Sequence, residues 1–359
     1  MRDLGLKAAI YRIVLAGDPL VTAAVGESMA GVPATASMHF RSGAVAIGYL
    51  STLLLILVDE GVVGLDEPIA AWLPHLPDAD RVTPRMLINM SAGYPDYVPD
   101  ARFQQAAYAD PFRVWSAEEL IELGLKSIPR SFDPGTNWDY AHTNIVILGQ
   151  VLEAATGQPL ADLLRARVFE PLGLSNTASN QTPVIPDPVL HSFSSERKGA
   201  LGIPDAVPFS EEATFWNPSW TLAPGAITTS DISDLTTTAI AWGSGALLSP
   251  ESHAAQITPF PVGFGAKVNG CRTCHPLDAT HNYALGLIVS GDWILQNPSF
   301  FGYSAAVGYL PSEQIAVATS VTFDRAAFTE SGDYRRQNAA TDLLKALAAT
   351  VTDNPPPLA

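Results

Sequence analysis

Strand-patterned segments stand at both ends of this chain and helix-patterned segments fill its middle, so any sheet it forms is assembled from pieces far apart in sequence. Near the N-terminus, AAIYRIVLA and LVTAAVGES, between Ala8 and Glu27, are apolar runs of strand length separated by Gly17-Asp18-Pro19. Gly tolerates positive φ and Pro presets a turn, so the pair reads as a hairpin that opens a sheet. Towards the other end, Tyr283–Ser290, Trp293–Leu295, Ala305–Leu310 and Ile315–Thr322 read as successive short strands returning to it. Within Arg335–Val351 a stripe of Ala339, Leu343, Leu344, Leu347 and Ala348 predicts a helix lying on that sheet, with Pro355, Pro356 and Pro357 ending it.

Between Ala46 and Trp216, helical runs alternate with Pro-rich connections such as LPHLPDAD and TPVIPDPVL. The expected fold class is therefore α/β (α+β), an antiparallel sheet flanked by N- and C-terminal elements with a mostly helical inserted domain. Residues 1–45 and 217–359 would form the sheet domain and residues 46–216 the insert. The longest apolar run, Gly43–Val58, is 16 residues long and ends at Asp59-Glu60. A bilayer needs about 20 such residues, so the run reads as a buried core helix and no membrane span is expected. Twenty Lys and Arg against 36 Asp and Glu give a net charge of −16, which repels phosphate backbones and anionic lipid, so no nucleic-acid partner is expected. Charges are scattered through MRDLGLKAAIYRIVLAG and no signal peptide is evident, which leaves compartment and oligomeric state open.

Several stretches between His39 and Thr322 resemble, in order and spacing, the family of class C β-lactamases, DD-peptidases and related esterases. They are HFRSGAVAIGYLSTLLLILVDEGVVGLDEPIAAWLP, LINMSAGYPDY, PGTNWDYAHTNIVILGQVLEAATGQPL, PLGLSNT and PGAITTSDISDL. The resemblance implies a β-lactamase/DD-peptidase-like fold and a small acyl substrate or ligand (an ester, amide or lactam), with no cofactor and no metal. The family's first motif is Ser-x-x-Lys, a hydroxyl one helical turn from an amine that accepts its proton. Counting back from Asp59-Glu60-Gly61 places Ala44 at the nucleophile position and Ile47 at the lysine position. Neither side chain attacks or ionises. Ser42 and Ser51 read as structural, and a literal Ser195-x-x-Lys198 lies in the polar stretch HSFSSERKGA, where it opens no apolar helix.

The second motif, Tyr-x-Asn, corresponds to Tyr140-Ala141-His142, in which an imidazole suited to proton transfer near neutral pH replaces the amide. The third, Lys-Thr-Gly or His-x-Gly, falls near Gln296-Asn297-Pro298: the charged residue is gone, while Gln296 and Asn297 keep amides able to orient a ligand. Phe215, Trp216 and Trp220 cluster before a glycine turn and read either as core or as the wall of an apolar pocket, with Trp216 and Trp220 the candidate substrate contacts. Nothing local separates Asp96 and Tyr97 from turn residues, and neither is counted in the site.

Cys271-Arg-Thr-Cys274-His275 admits a local disulfide, a metal bound with His275 and His281, reduced thiols, or a haem attachment. Three functional readings follow from the resemblance. One is an acyl hydrolase in which Ala44 replaces serine by engineering. Another is a repurposed enzyme, such as a cyclase, an isomerase or a water-mediated hydrolase, in which Tyr140 and His142 do acid and base work without a covalent intermediate. The third is a binding protein that kept the fold and lost the chemistry.

Overall fold

The N-terminal hairpin forms where the two apolar runs flank Gly17: β1 (Leu6–Leu15) pairs antiparallel with β2 (Asp18–Met29), with Ile10 opposite Ala24. The structure, a computed structural model, describes residues 2–127, 129–179, 182–336 and 338–357. On its other side β1 takes strands from the far end of the chain. These are β3 (Asn282–Tyr283), β4 (Ile288–Ser290), β5 (Trp293–Gln296), β6 (Tyr303–Leu310) and β7 (Ile315–Phe323). The spatial order is Val32–Pro33, β2, β1, β7, β6, β5, β4, β3, with Ser299–Phe300 pairing beside β6. The sheet is antiparallel throughout, as expected.

Two sequence expectations need correction. The run Tyr283–Ser290 is not one strand. Gly286 sits at φ +74° in a turn closed by Ala284 N–H donating to the Leu287 carbonyl at 2.8 Å, and the run splits into β3 and β4. Gly is required there for a second reason: a Cβ would lie 3.1 Å from the Ile47 carbonyl oxygen and from Ser51 Cβ, so the turn approaches the core helix too closely for a side chain. The C-terminal helix spans Ala339–Ala348, four residues later than Arg335, and Gln337 lies outside the described residues.

The apolar run becomes α1 (Val45–Asp59), in which every residue from Val45 to Leu57 is buried. A helix apolar on all sides is stable only when surrounded. Part of that surround is the second long helix, α2 (His142–Thr156), and part is α3 (Ile232–Ser244), whose Trp242 ring meets Gly48 so tightly that a Cβ there would stand 2.2 Å from it. The C-terminal helix is α4 (Ala339–Ala348). Gly308 contacts Leu344 of α4 while its neighbour Tyr309 fits over Gly243 of α3, and because adjacent strand residues point to opposite faces, α3 and α4 cover the two sides of the sheet.

The entry to α1 is held by a small sheet of Phe40–Arg41, Thr228–Ser230 and Ala178–Ser179. There Ser42 Oγ donates to the Thr228 carbonyl at 3.1 Å. Among the described residues no helix is long and apolar enough to cross a membrane.

Candidate active site

Gly43, in the turn between the Phe40–Arg41 strand and α1, takes a left-handed conformation, φ +53°, with Pro298 so close that a Cβ would lie 2.7 Å from its ring. That packing brings the start of α1 and the Gln296-Asn297-Pro298 segment together and opens a cavity of about 490 Å³ between them and α2. Ala44, Tyr140, His142, Trp220, Gln296 and Asn297, six residues chosen from separate parts of the sequence, all line it. Two do not. Ile47, one turn into α1, is fully buried in the core. Trp216 is buried away from the cavity, its ring 4.7 Å from Phe301 with the Arg197 guanidinium over it, so the apolar-wall reading is corrected for this residue: it is core.

The remaining hydroxyl candidates are engaged elsewhere. Ser51 takes a hydrogen bond from Gln256 Nε2 at 3.2 Å inside the core. Ser195 Oγ donates to the Phe209 carbonyl, and Lys198 Nζ donates to the carbonyls of Asp205 and Glu330, so this Ser-x-x-Lys is a loop clamp with no hydroxyl-to-amine contact.

Asp96, which sequence reasoning left out, stands behind His142, lining a neighbouring cavity and not this one. His142 Nδ1 lies 3.1 Å and 3.2 Å from the two Asp96 carboxylate oxygens, and the His142 backbone N–H also donates to Asp96 Oδ1 at 3.2 Å. A carboxylate on Nδ1 favours the tautomer that carries its proton there and leaves the lone pair on Nε2. The signal in the sequence was indirect: an imidazole placed at Tyr-x-Asn needs an orienting acceptor, and GYPDY supplies one 46 residues away. Tyr140 stands edge-on to His142, ring centroids 5.3 Å apart at 89°. Burial, with Tyr283 and Asp96 adding to it, pushes the Tyr140 phenol well above its ordinary value, so it is held neutral as a hydrogen-bond donor.

Opposite this wall the amides are less free than the sequence suggested. Gln296 is buried and its Nε2 already donates to the Gly286 carbonyl at 2.7 Å, while Asn297 is partly exposed. Trp220 packs on Phe300, His142 and Phe103, at 5.7, 6.3 and 5.5 Å between centroids. Cys271 and Cys274 form a disulfide with Cα atoms 5.5 Å apart, which engages both sulfurs and removes the thiolate, metal and haem readings of the pair in this state. His275 and His281 stand with ring centroids 5.5 Å apart and planes tilted by 58° on the cavity wall, and burial and the neighbouring His275 hold the His281 imidazole below its ordinary value, hence neutral. Among the described residues lining the cavity there is no Lys, Arg, Asp or Glu.

The Beta-lactamase family model matches residues 3–342. The chain belongs to the Beta-lactamase family. Within it, the chain is 30% identical over 187 residues to Esterase EstB of Burkholderia gladioli, covering 48% of this chain and 47% of that protein. It is 31% identical over 179 residues to Penicillin-binding protein 4 of Amycolatopsis lactamdurans, covering 48% and 43% respectively. The aligned stretches therefore span less than half the length of these relatives. Among solved structures, a D-amino acid amidase from Ochrobactrum anthropi SV3 complexed with D-phenylalanine superposes with a TM-score of 0.79 at 21% identity, covering 98% of this chain and 95% of that one. A D-stereospecific amidohydrolase from Streptomyces sp. gives 0.75 at 24% identity, covering 90% and 92%. These likenesses establish the shared fold.

Proposed function

We propose that this protein hydrolyses a small uncharged acyl compound by attack of water activated on His142, without a covalent intermediate. The observation that carries the reading is the hydrogen bond between Asp96 and His142, whose ring lines the same cavity as Ala44. In this scheme Asp96 holds the Nδ1 proton, and Nε2 takes a proton from water as its oxygen bonds to the acyl carbon. The bond to the leaving oxygen or nitrogen then breaks as the imidazolium returns the proton to it. Tyr140, held neutral, donates a hydrogen bond to the oxygen on which charge develops.

The substrate class follows from the lining. A carboxylate or phosphate would enter with no cation to meet it, in a protein of net charge −16, whereas aromatic and neutral polar side chains suit an uncharged ester or amide. The esterase and the two amide hydrolases among the similar proteins are consistent with acyl chemistry on this fold.

The test is steady-state hydrolysis of a series of neutral and anionic aryl esters by the native chain and by His142→Ala. Native turnover should favour neutral esters, and the variant should lose on the order of 10³-fold in kcat, the range for removing a general base. Equal rates in the two proteins would remove the proposal. Saturable binding of the esters with no product would instead leave a binding protein.

A further inference from the structure

From Thr258 to His281 the chain has neither helix nor strand, yet it forms one side of the cavity. Asn137 secures its middle by a reciprocal pair with the Ala266 backbone, at 3.0 and 2.9 Å. The segment lines the cavity with Thr273, His275 and His281, and Thr273 lies within the four-residue ring closed by Cys271 and Cys274. Inside that ring Thr273 makes three connections. Its Oγ1 accepts the Tyr140 backbone N–H at 3.0 Å, the same hydroxyl donates to Asp139, and its carbonyl lies 2.7 Å from His275 Nδ1. Thr273 and Tyr140 also line both the main cavity and a second one of about 380 Å³, whose walls include Asp96 and Asp139.

We propose that the Cys271–Cys274 bridge is a redox-sensitive positioning device. It holds Thr273 so that Tyr140 presents its phenol to the cavity, and its reduction releases Tyr140 and merges the two cavities. The inference rests on the hydrolytic reading only for its effect on turnover; the positioning itself is independent of it. The chemistry is thiol–disulfide exchange: a dithiol gives two electrons and two protons to the bridge, leaving two cysteine thiols and the oxidised reagent. Cys271 is partly exposed, so the attacking thiolate has a path to it. A disulfide that closes so short a ring constrains the unfolded chain little, so its loss acts locally and leaves the sheet and α1 standing. Thr273 is a positioning residue in this scheme, since it acts through Tyr140.

Amide hydrogen exchange of the full chain, before and after treatment with a dithiol, reads the device without any substrate. The Tyr140 amide should exchange faster by about tenfold or more on reduction, with β6 and β7 unchanged. Thr273→Val should do the same with the bridge intact, Thr273→Ser should retain protection, and reoxidation should restore it. If neutral esters are turned over, reduction should lower kcat about tenfold with a smaller change in KM. Equal Tyr140 protection in oxidised and reduced protein overturns the proposal, and so does protection lost in Thr273→Val but kept on reduction. Absence of turnover in every form would count against the hydrolytic reading and leave the exchange result to decide this one.

Discussion

The start of α1 and the start of α2 face the same cavity, yet one is finished in apolar side chains and the other in a hydrogen-bonded network. At α1, Ala44 presents a methyl group and Ile47 has joined the core. At α2, Tyr140 and His142 line the cavity, and Asp96 arrives from a different loop to hydrogen-bond the imidazole. The contrast separates fold from chemistry. Burying a side chain the size of Ile47 stabilises the chain by about 1.5–3 kcal/mol, whatever the reactivity of the site, so α1 keeps its place with no nucleophile at all. The network at α2 contributes nothing comparable in apolar burial; on the proposed reading it persists for what it does to protons.

The sharpest break between the two helix starts would come from the His142→Ala variant described above, whose kcat loss on the order of 10³-fold is the largest effect expected. Next, Ile47→Lys should destabilise the protein by about 3–5 kcal/mol in denaturant unfolding, because an ammonium at this fully buried position is stripped of water and, among the described residues, the adjoining cavity is lined by no carboxylate. A lysine tolerated at position 47 with little cost would mean that the interior there is wetter and more polar than the packing indicates. Asp96→Asn should lower kcat on the order of a hundredfold while leaving thermal stability nearly unchanged, since the ring stays but loses the acceptor that selects its tautomer. An unchanged rate would leave His142 without an orienting partner in the mechanism. The smallest effect belongs to Ala44→Ser: turnover within about threefold of native and stability within about 0.5 kcal/mol. Mass spectrometry after exposure to an acylating probe should find no adduct on the new serine. Labelling there would show that the α2 network can activate a hydroxyl at α1, and the division of labour argued for here would fail.

Much of the architecture was legible because it depends on local pattern. The two runs around Gly17, the mostly apolar Val45–Leu57 stretch and the strands after Trp293 each fold as their periodicity and breakers indicate. The misreadings occurred where a neighbour remote in sequence decides. Gly286 splits a strand because Ile47 and Ser51 crowd it, and Trp216 turns to the core because Phe301 and Arg197 take its ring. Gln296 lines the cavity, yet its Nε2 donates to the Gly286 carbonyl, a partner that no local pattern announces. Asp96 could not be told from a turn residue by anything in GYPDY, since its role exists only through a side chain 46 positions away.

By itself, then, the order of residues determined the hairpin, the buried helix and the family, because periodicity and side-chain chemistry are properties of the chain. Tertiary structure alone decided which polar groups share the cavity, that His142 is carried by Asp96, and that a disulfide ring stands over Tyr140. Hydrogen bonds and cavities are set by distances of a few ångströms between segments far apart in sequence, and no local pattern encodes those distances.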